Sequence, residues 1–317
     1  MATSIVNQSV SGSVPSPNQS ALSNPKSRAS VYEIVTEQVI KQLESGVAPW
    51  RKPWRTEMPC NLVSQKPYRG LNVFLLASQG YASRHWLTFS QANKLGGKIK
   101  RGEHSSLVTF WHVGDERLDA EGKKTRPFLL RYYRVFNLCQ TTGIAEKLGL
   151  GESPRPAASI EQCEAIVTAM PNAPRMEQSS AAWYRPSTDT VGMPARGLFS
   201  STEEYYSTLF HELTHSTGHA SRIGREGIEI LNTFGSESYS REELIAEMGA
   251  AMLCGVTGIA PATLQNSAAY LKTWIERLKS DSRLLVSAAS AAQKAADYIR
   301  GESAIDSPLS EGEAHAN

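Results

Sequence analysis

His211, Glu212 and His215 read H-E-x-x-H within the stretch Ser200 to His219, S-S-T-E-E-Y-Y-S-T-L-F-H-E-L-T-H-S-T-G-H. Residues four apart on an α-helix lie one above the other, so both imidazoles face the same way. Two neutral nitrogens at that spacing can hold one zinc ion, and a carboxylate beside them can take a proton from a metal-bound water. His211 and His215 are therefore candidate ligands and Glu212 the candidate base. The helix is otherwise lined by Tyr205, Leu209, Phe210 and Leu213, against which two unpaired histidines would be costly to bury.

Such a centre needs a third protein ligand and an open position. Two glutamates four apart, Glu243 and Glu247, are the candidates, in the run E-E-L-I-A-E-M-G-A-A. Glu247 lies in the more apolar part, where a carboxylate is costly unless paired or metal-bound, so it is the first expectation and Glu243 the second. A third histidine at the H-E-x-x-H-x-x-G-x-x-H spacing is missing: that position holds Ser221. His219 comes two residues too early and reads as a supporting partner or a capping residue. Two histidines and a glutamate suit zinc and also admit manganese or cobalt.

The elements that must hold these residues are legible from caps and periodicity. Ser200 or Ser201, with Glu203 or Glu204 three residues on, starts the H-E-x-x-H helix, and Gly218 stops it. Ser240-Arg241-Glu242-Glu243 reads as a capping box opening a helix of small and apolar residues, 244–254. Upstream, a helix over 159–170 starts at a Ser159 box, and strands are expected over 181–184 and 188–191. The segment Asp189 to Pro194 is the candidate edge strand of the cleft, able to accept a peptide by strand addition. A helix pair with Trp274 fills 262–300.

Length, 317 residues, suggests about two domains. The division read from composition is a disordered leader over 1–29, a basic domain over 30–145, a linker over 146–158, a metal-site domain over 159–300 and a loose acidic tail over 301–317. Residues 31–140 hold 17 Lys and Arg against 9 Asp and Glu, while residues 151–317 hold 13 against 21. Such asymmetry implies different partners for the two halves. Cys60, Cys139, Cys163 and Cys254 form no C-x-x-C pair, which suits reduced thiols in the cytoplasm. No apolar run approaches the roughly 18 residues of a membrane span, and the first residues lack a secretion-signal pattern.

The basic half also carries 14 of the chain's 25 aromatic residues. A capping box at Ser30 to Glu33 opens a helix that ends at Gly46. The loop A-P-W-R-K-P-W-R alternates Trp50 and Trp54 with Arg51, Lys52 and Arg55. Lys66-Pro67-Tyr68-Arg69 repeats the pattern on a turn, and Arg84-His85-Trp86 repeats it again. Short helices are expected over 72–79 and 90–95, followed by the positive run Lys98, Lys100 and Arg101. Strands are expected over 106–113 and 128–136 around a charged loop, and the second carries Arg131 and Arg134 on opposite faces. Flat rings between cations are what single-strand nucleic-acid binders use, stacking for bases and charge for phosphates.

These motifs resemble a known family. Y-E-I-V-T-E-Q-V-I-K-Q-L-E-S-G-V-A-P-W-R-K-P-W, P-Y-R-G-L-N, H-W-L-T-F and K-R-G-E resemble the N-terminal domain of ArdC-type antirestriction proteins. Y-Y-S-T-L-F-H-E-L-T-H-S-T-G-H with E-E-L-I-A-E-M-G-A-A resembles that family's metallopeptidase-like domain. The resemblance covers residues 30–300 in order. It implies an α+β architecture: a mixed α/β single-stranded-DNA-binding domain, then a zincin-like domain, mostly helical with a small sheet. It also implies a mobile-element protein of the bacterial cytoplasm, able to enter a recipient cell, that shields incoming DNA from host restriction. His211 and His215 carry over as ligands, Glu212 as base, and Glu247 less surely as third ligand.

Two functions follow as expectations: a single-stranded-DNA-binding antirestriction protein with a supporting metal site, or a DNA-tethered metalloprotease acting on a host restriction component. A third is a metal-stabilised scaffold without turnover.

Overall fold

The computed structural model of the chain describes residues 29–51, 56–113, 116–118, 124–125, 128–152, 157–225, 228, 237–259 and 268–302. The first half contains α1 (Val31–Glu44), β1 (Cys60–Asn61), α2 (Leu71–Ala77), β2 (His85–Thr88), α3 (Phe89–Lys94), β3 (Lys98–Ile99), β4 (Ser106–Val113), β5 (Arg117–Leu118), β6 (Lys124–Thr125), β7 (Phe128–Asn137), β8 (Thr141–Thr142) and α4 (Ala145–Leu148). The second contains α5 (Ile160–Ala169), β9 (Arg175–Gln178), β10 (Trp183–Arg185), β11 (Thr190–Met193), α6 (Thr202–Ser216), α7 (Glu237–Thr257), α8 (Ala268–Ser280) and α9 (Leu284–Ile299). The class is α+β, with the expected small sheet beside the helices of the second half.

The first half is built on a four-stranded sheet ordered β1-β2-β7-β4, in which β4 and β7 run antiparallel from Ser106 opposite Val135 to Val113 opposite Phe128. The outer edge of β4 is not left bare. Asn72 of α2 donates through its amide to the Thr109 carbonyl (2.6 Å) and accepts from the Thr109 N–H (2.7 Å), so a side chain stands in for a missing strand. Leu71, Val73, Phe74, Leu75 and Leu76 of α2 are all buried. A helix apolar all round must be covered on all sides, and α2 lies between the sheet and α9.

One hydrophobic cluster runs through both halves, joining Val35, Leu43 and Trp50 to Phe210, Leu253, Trp274 and Leu285. α1 packs on α8, and α6 packs on α7, which packs on α9. The approach of α6 to α7 depends on Gly249: a methyl group there would fall 2.6 Å from Thr214 Cγ2. Alanines at 288, 289, 292, 295 and 296 make the buried face of α9 equally shallow. Among the described residues no helix is long and apolar enough to cross a membrane.

Two local expectations change. β11 lies between β10 and β9, so Asp189 to Pro194 does not form an edge; β9, unanticipated, supplies one by pairing parallel to β11. α7 begins at Glu237, upstream of Ser240, which is consequently buried inside the helix rather than capping it. The helices at Ser30, Ser159 and Ser201 start as expected, each with the serine hydroxyl accepting a backbone N–H three residues on. Glu204 then reaches back to the Ser200 N–H (2.9 Å).

Candidate metal centre and nucleic-acid interface

α6 brings His211 and His215 to one face, with their Nε2 atoms 3.1 Å apart. The carboxylate that meets them is Glu243, whose oxygens lie 3.6 Å from His211 Nε2 and 3.5 Å from His215 Nε2. One ligand atom from each of the three lies within 4.8 Å of the others. Ligands of a tetrahedral ion with bonds of about 2.0–2.2 Å are roughly 3.3–3.6 Å apart, so the spacing fits a divalent cation.

A second layer holds these groups. Glu242 lies 3.4 Å from His215 Nδ1, and an N–H on that side leaves the Nε2 lone pair for an ion. Arg225 in turn fixes Glu242, donating from Nε at 3.0 Å and from Nη2 to the other oxygen. Tyr239 hydrogen-bonds Glu243. Burial alone would lower the His211 pKa, but the hydrogen bond to Glu243 and the charges of Glu212, Glu243 and Glu247 outweigh it and raise it. Burial would raise the Glu243 pKa, yet its imidazole partners and Tyr239 lower it. The cluster is thus electronegative, as a cation site must be. Glu212 is buried beside it and has no hydrogen-bond partner among the described residues.

Glu247, the first expectation for third ligand, is engaged elsewhere. Its carboxylate accepts from Trp50 Nε1 (2.8 Å), from Arg51 Nη2 (2.9 Å) and from the Tyr270 hydroxyl. The reason is one turn of helix: Glu243 faces α6, and Glu247 faces α1's following loop and α8. The buried carboxylate is paired, as its apolar surroundings demand, but by partners from the far end of the sequence. His219 accepts from the Ser221 N–H (3.2 Å) in the turn after α6, so it is a turn residue.

The residues expected to touch DNA divide sharply. Trp50 and Trp86 are 1 % and 2 % exposed and belong to the core. Tyr68 is half-buried against the Trp86 cluster. Arg51 is tied to Glu247 and lies 3.6 Å over the Tyr270 ring. Arg69 pairs with Asp297 and Arg84 with Glu57. Trp50 and Trp86 fill volume, and Arg51, Arg69 and Arg84 are engaged by carboxylates, so the basic-aromatic alternation there serves packing. Lys52, Trp54 and Arg55 lie outside the described residues. Lys66, Lys98, Lys100, Arg101, Arg131 and Arg134 are exposed.

One aromatic pair in the sheet is not apparent from the sequence. On one face of the β4–β7 pair, Phe110 and Tyr133 stack in parallel, 4.3 Å between centroids and 6° between planes. Arg131 is the cross-strand neighbour of Phe110 on that face, and Tyr132 and Leu129 of β7 are exposed. Alternation of aromatic and cationic residues along β7 was the available signal; the pairing with Phe110 required the register.

Known proteins place these features together. A family model described as "Zincin-like metallopeptidase" matches residues 161–291, and one described as "N-terminal domain of anti-restriction factor ArdC" matches residues 29–136. The metal-free crystal structure of the antirestriction ArdC protein from plasmid R388 is 39 % identical, with a TM-score of 0.69 over 85 % of this chain and 96 % of that one. Its Mn(II)-bound structure is similar at 36 % identity and TM-score 0.69, over 88 % of this chain and 100 % of that one. A DNA primase TraC of Escherichia coli is 33 % identical over 84 % of this chain, which spans 27 % of the primase's length.

Proposed function

The chain belongs to the ArdC-type antirestriction family, with a zincin-like second half, and on that premise we propose that it binds single-stranded DNA of a mobile element and shields it from host restriction. A divalent metal, zinc or manganese, is held by His211, His215 and Glu243. The observation that carries the metal assignment is the triangle of donor atoms, all within 4.8 Å of one another, backed by the Glu242–Arg225 layer. That a relative was solved with Mn(II) bound supports a divalent ion, though not these particular residues, in this chain.

DNA binding rests on the half-buried Phe110–Tyr133 stack with the exposed Arg131 beside it, together with the solvent-facing cations Lys66, Lys98, Lys100, Arg101 and Arg134. Bases stack on the rings and phosphates meet the cations, with affinity falling steeply as salt rises. A strand so covered is withheld from a nuclease that must reach its bases and phosphates. In the cell this work is done in the cytoplasm.

When bound, the metal supplies Lewis-acid polarisation at the cleft. Glu242 keeps His215 in the tautomer that presents Nε2. Tyr239 and the two imidazoles orient Glu243. Glu212 is available to accept a proton at its carboxylate. That free, buried carboxylate beside the donors favours a second reading, a metalloprotease recruited by DNA to a host restriction component.

Glu212→Gln separates the two, because it spares the donors. Assayed by survival of transferred DNA in a restricting host, the variant keeps full protection if shielding alone suffices. Loss of protection with DNA binding and metal content intact would overturn shielding as the whole function.

A further inference from the structure

A cavity of about 610 Å³ opens between residues of the two halves. Its lining includes two rings, Tyr32 of α1 and Trp111 of β4, edge to face at 6.4 Å. It also includes the cations Arg241 of α7, Arg283 just before α9 and Lys294 of α9, beside small and aliphatic residues of α9. No Asp or Glu is among its described lining residues.

Several cations elsewhere in this protein are matched. Arg51, Arg69, Arg84, Arg196 and Arg222 each face a carboxylate. Arg241, Arg283 and Lys294 are exposed and form no ion pair among the described residues. Arg283 lies 5.5 Å over the Tyr32 ring. Positive charges gathered around a concave surface repel one another and focus a field that an anion relieves. A volume of this size is within the range of small-ligand sites.

We propose that this cleft binds a nucleotide, its phosphate against Arg241, Arg283 and Lys294 and its base against Trp111 and Tyr32. Cations beside flat rings match the two chemically distinct parts of that ligand. The ligand is either a free nucleotide or one link of a single strand, since both present the same groups. The site differs from the sheet surface described above. Successive strand residues point to opposite faces, so Trp111 lies on the face of β4 opposite Phe110. The proposal therefore goes beyond the DNA-binding reading and survives or fails separately.

The test is titration of the full chain at low salt with adenosine triphosphate and with a short labelled oligothymidylate. The wild type is compared with the Arg283→Glu/Lys294→Glu double variant and with Arg131→Glu, after thermal melts establish that each is folded. The wild type should bind at least one of the two ligands. The double variant should bind it about tenfold or more weakly, with the slope of log affinity against log salt shallower by roughly 1–2. Loss of triphosphate binding identifies a free-nucleotide site, and loss confined to the oligonucleotide identifies a strand site. Unchanged affinity of the double variant for both ligands, or no wild-type binding of either, overturns the proposal. Weakening by Arg131→Glu alone would leave the sheet surface standing and remove the cleft; triphosphate binding without oligonucleotide binding would do the reverse.

Discussion

Around the metal centre nearly every charge is answered; on the β4–β7 surface several are not. Glu242 is held by Arg225, Glu243 by two imidazoles and Tyr239, and Glu247 by Trp50, Arg51 and Tyr270. Arg131 and Arg134 instead face solvent. The difference follows from desolvation. A buried charge without a partner costs several kcal/mol, whereas an exposed cation costs little and stays available to a ligand. The proposed nucleic-acid surface is thus the one whose cations are unpaired, and Glu212 is the buried carboxylate without a partner among the described residues.

The largest expected effect tests that rule within one helix. Glu243→Gln should lower affinity for zinc or manganese by more than the 10–100-fold typical of losing a supporting residue, while Glu247→Gln changes it by less than about threefold. Competition titration with a chelator measures both, and equal losses would erase the distinction between the two glutamates. Glu247→Gln should instead cost about 3 kcal/mol of stability, because Arg51 is left buried without its counter-charge. A shift of the urea midpoint with an unchanged slope is the expected signature.

Next in size is the Asp189–Arg222 pair, which ties β11 to the turn after α6. Burial would raise the Asp189 pKa, but the Arg222 guanidinium outweighs it and holds the carboxyl below its ordinary value. A depressed folded-state pKa gives stability that is present above the unfolded value of about 3.9 and is lost as pH falls through the folded value. Asp189→Asn should therefore cost about 2 kcal/mol near neutral pH, with the deficit closing below about pH 4. A deficit of constant size across that range would refute the ion-pair account.

On the open surface the effects are smaller. Tyr133→Leu should weaken single-stranded DNA binding by about 1–2 kcal/mol. Trp86→Leu should lower the melting temperature and leave the affinity of the folded protein unchanged. The smallest change is expected from Lys98→Ala, which should reduce the salt slope by roughly 0.7 with the fold intact. Unaltered binding in both Tyr133→Leu and Lys98→Ala would remove both positions from the interface.

How far these features could be read in advance varies with their range. The starts of α1, α5 and α6 were legible because a serine cap and its N–H acceptor lie three residues apart. The same signature misled at Ser240, where α7 extends a further turn upstream and buries the serine. From sequence β11 reads as an edge, because nothing in its own residues announces β9. Trp50 and Trp86 read as stacking surfaces, since the same ring that suits a base also suits a core.

The sequence by itself determined the pairing of His211 with His215 and the position of Glu212 between them, because a single helical turn sets their geometry. It also narrowed the candidate third donor to Glu243 or Glu247. Only the tertiary structure shows which of the two lies beside the imidazoles. Gly249 lets α7 close on α6, Glu243 lies within 3.6 Å of both imidazoles, and Glu247 meets Trp50, 197 residues away in the chain. Likewise, β7 contains its aromatic and cationic residues in plain order, but the stack of Tyr133 on Phe110 exists only through the register with β4. Spacing within one element is fixed by backbone geometry; which face becomes buried, paired or free depends on what distant segments fold against it.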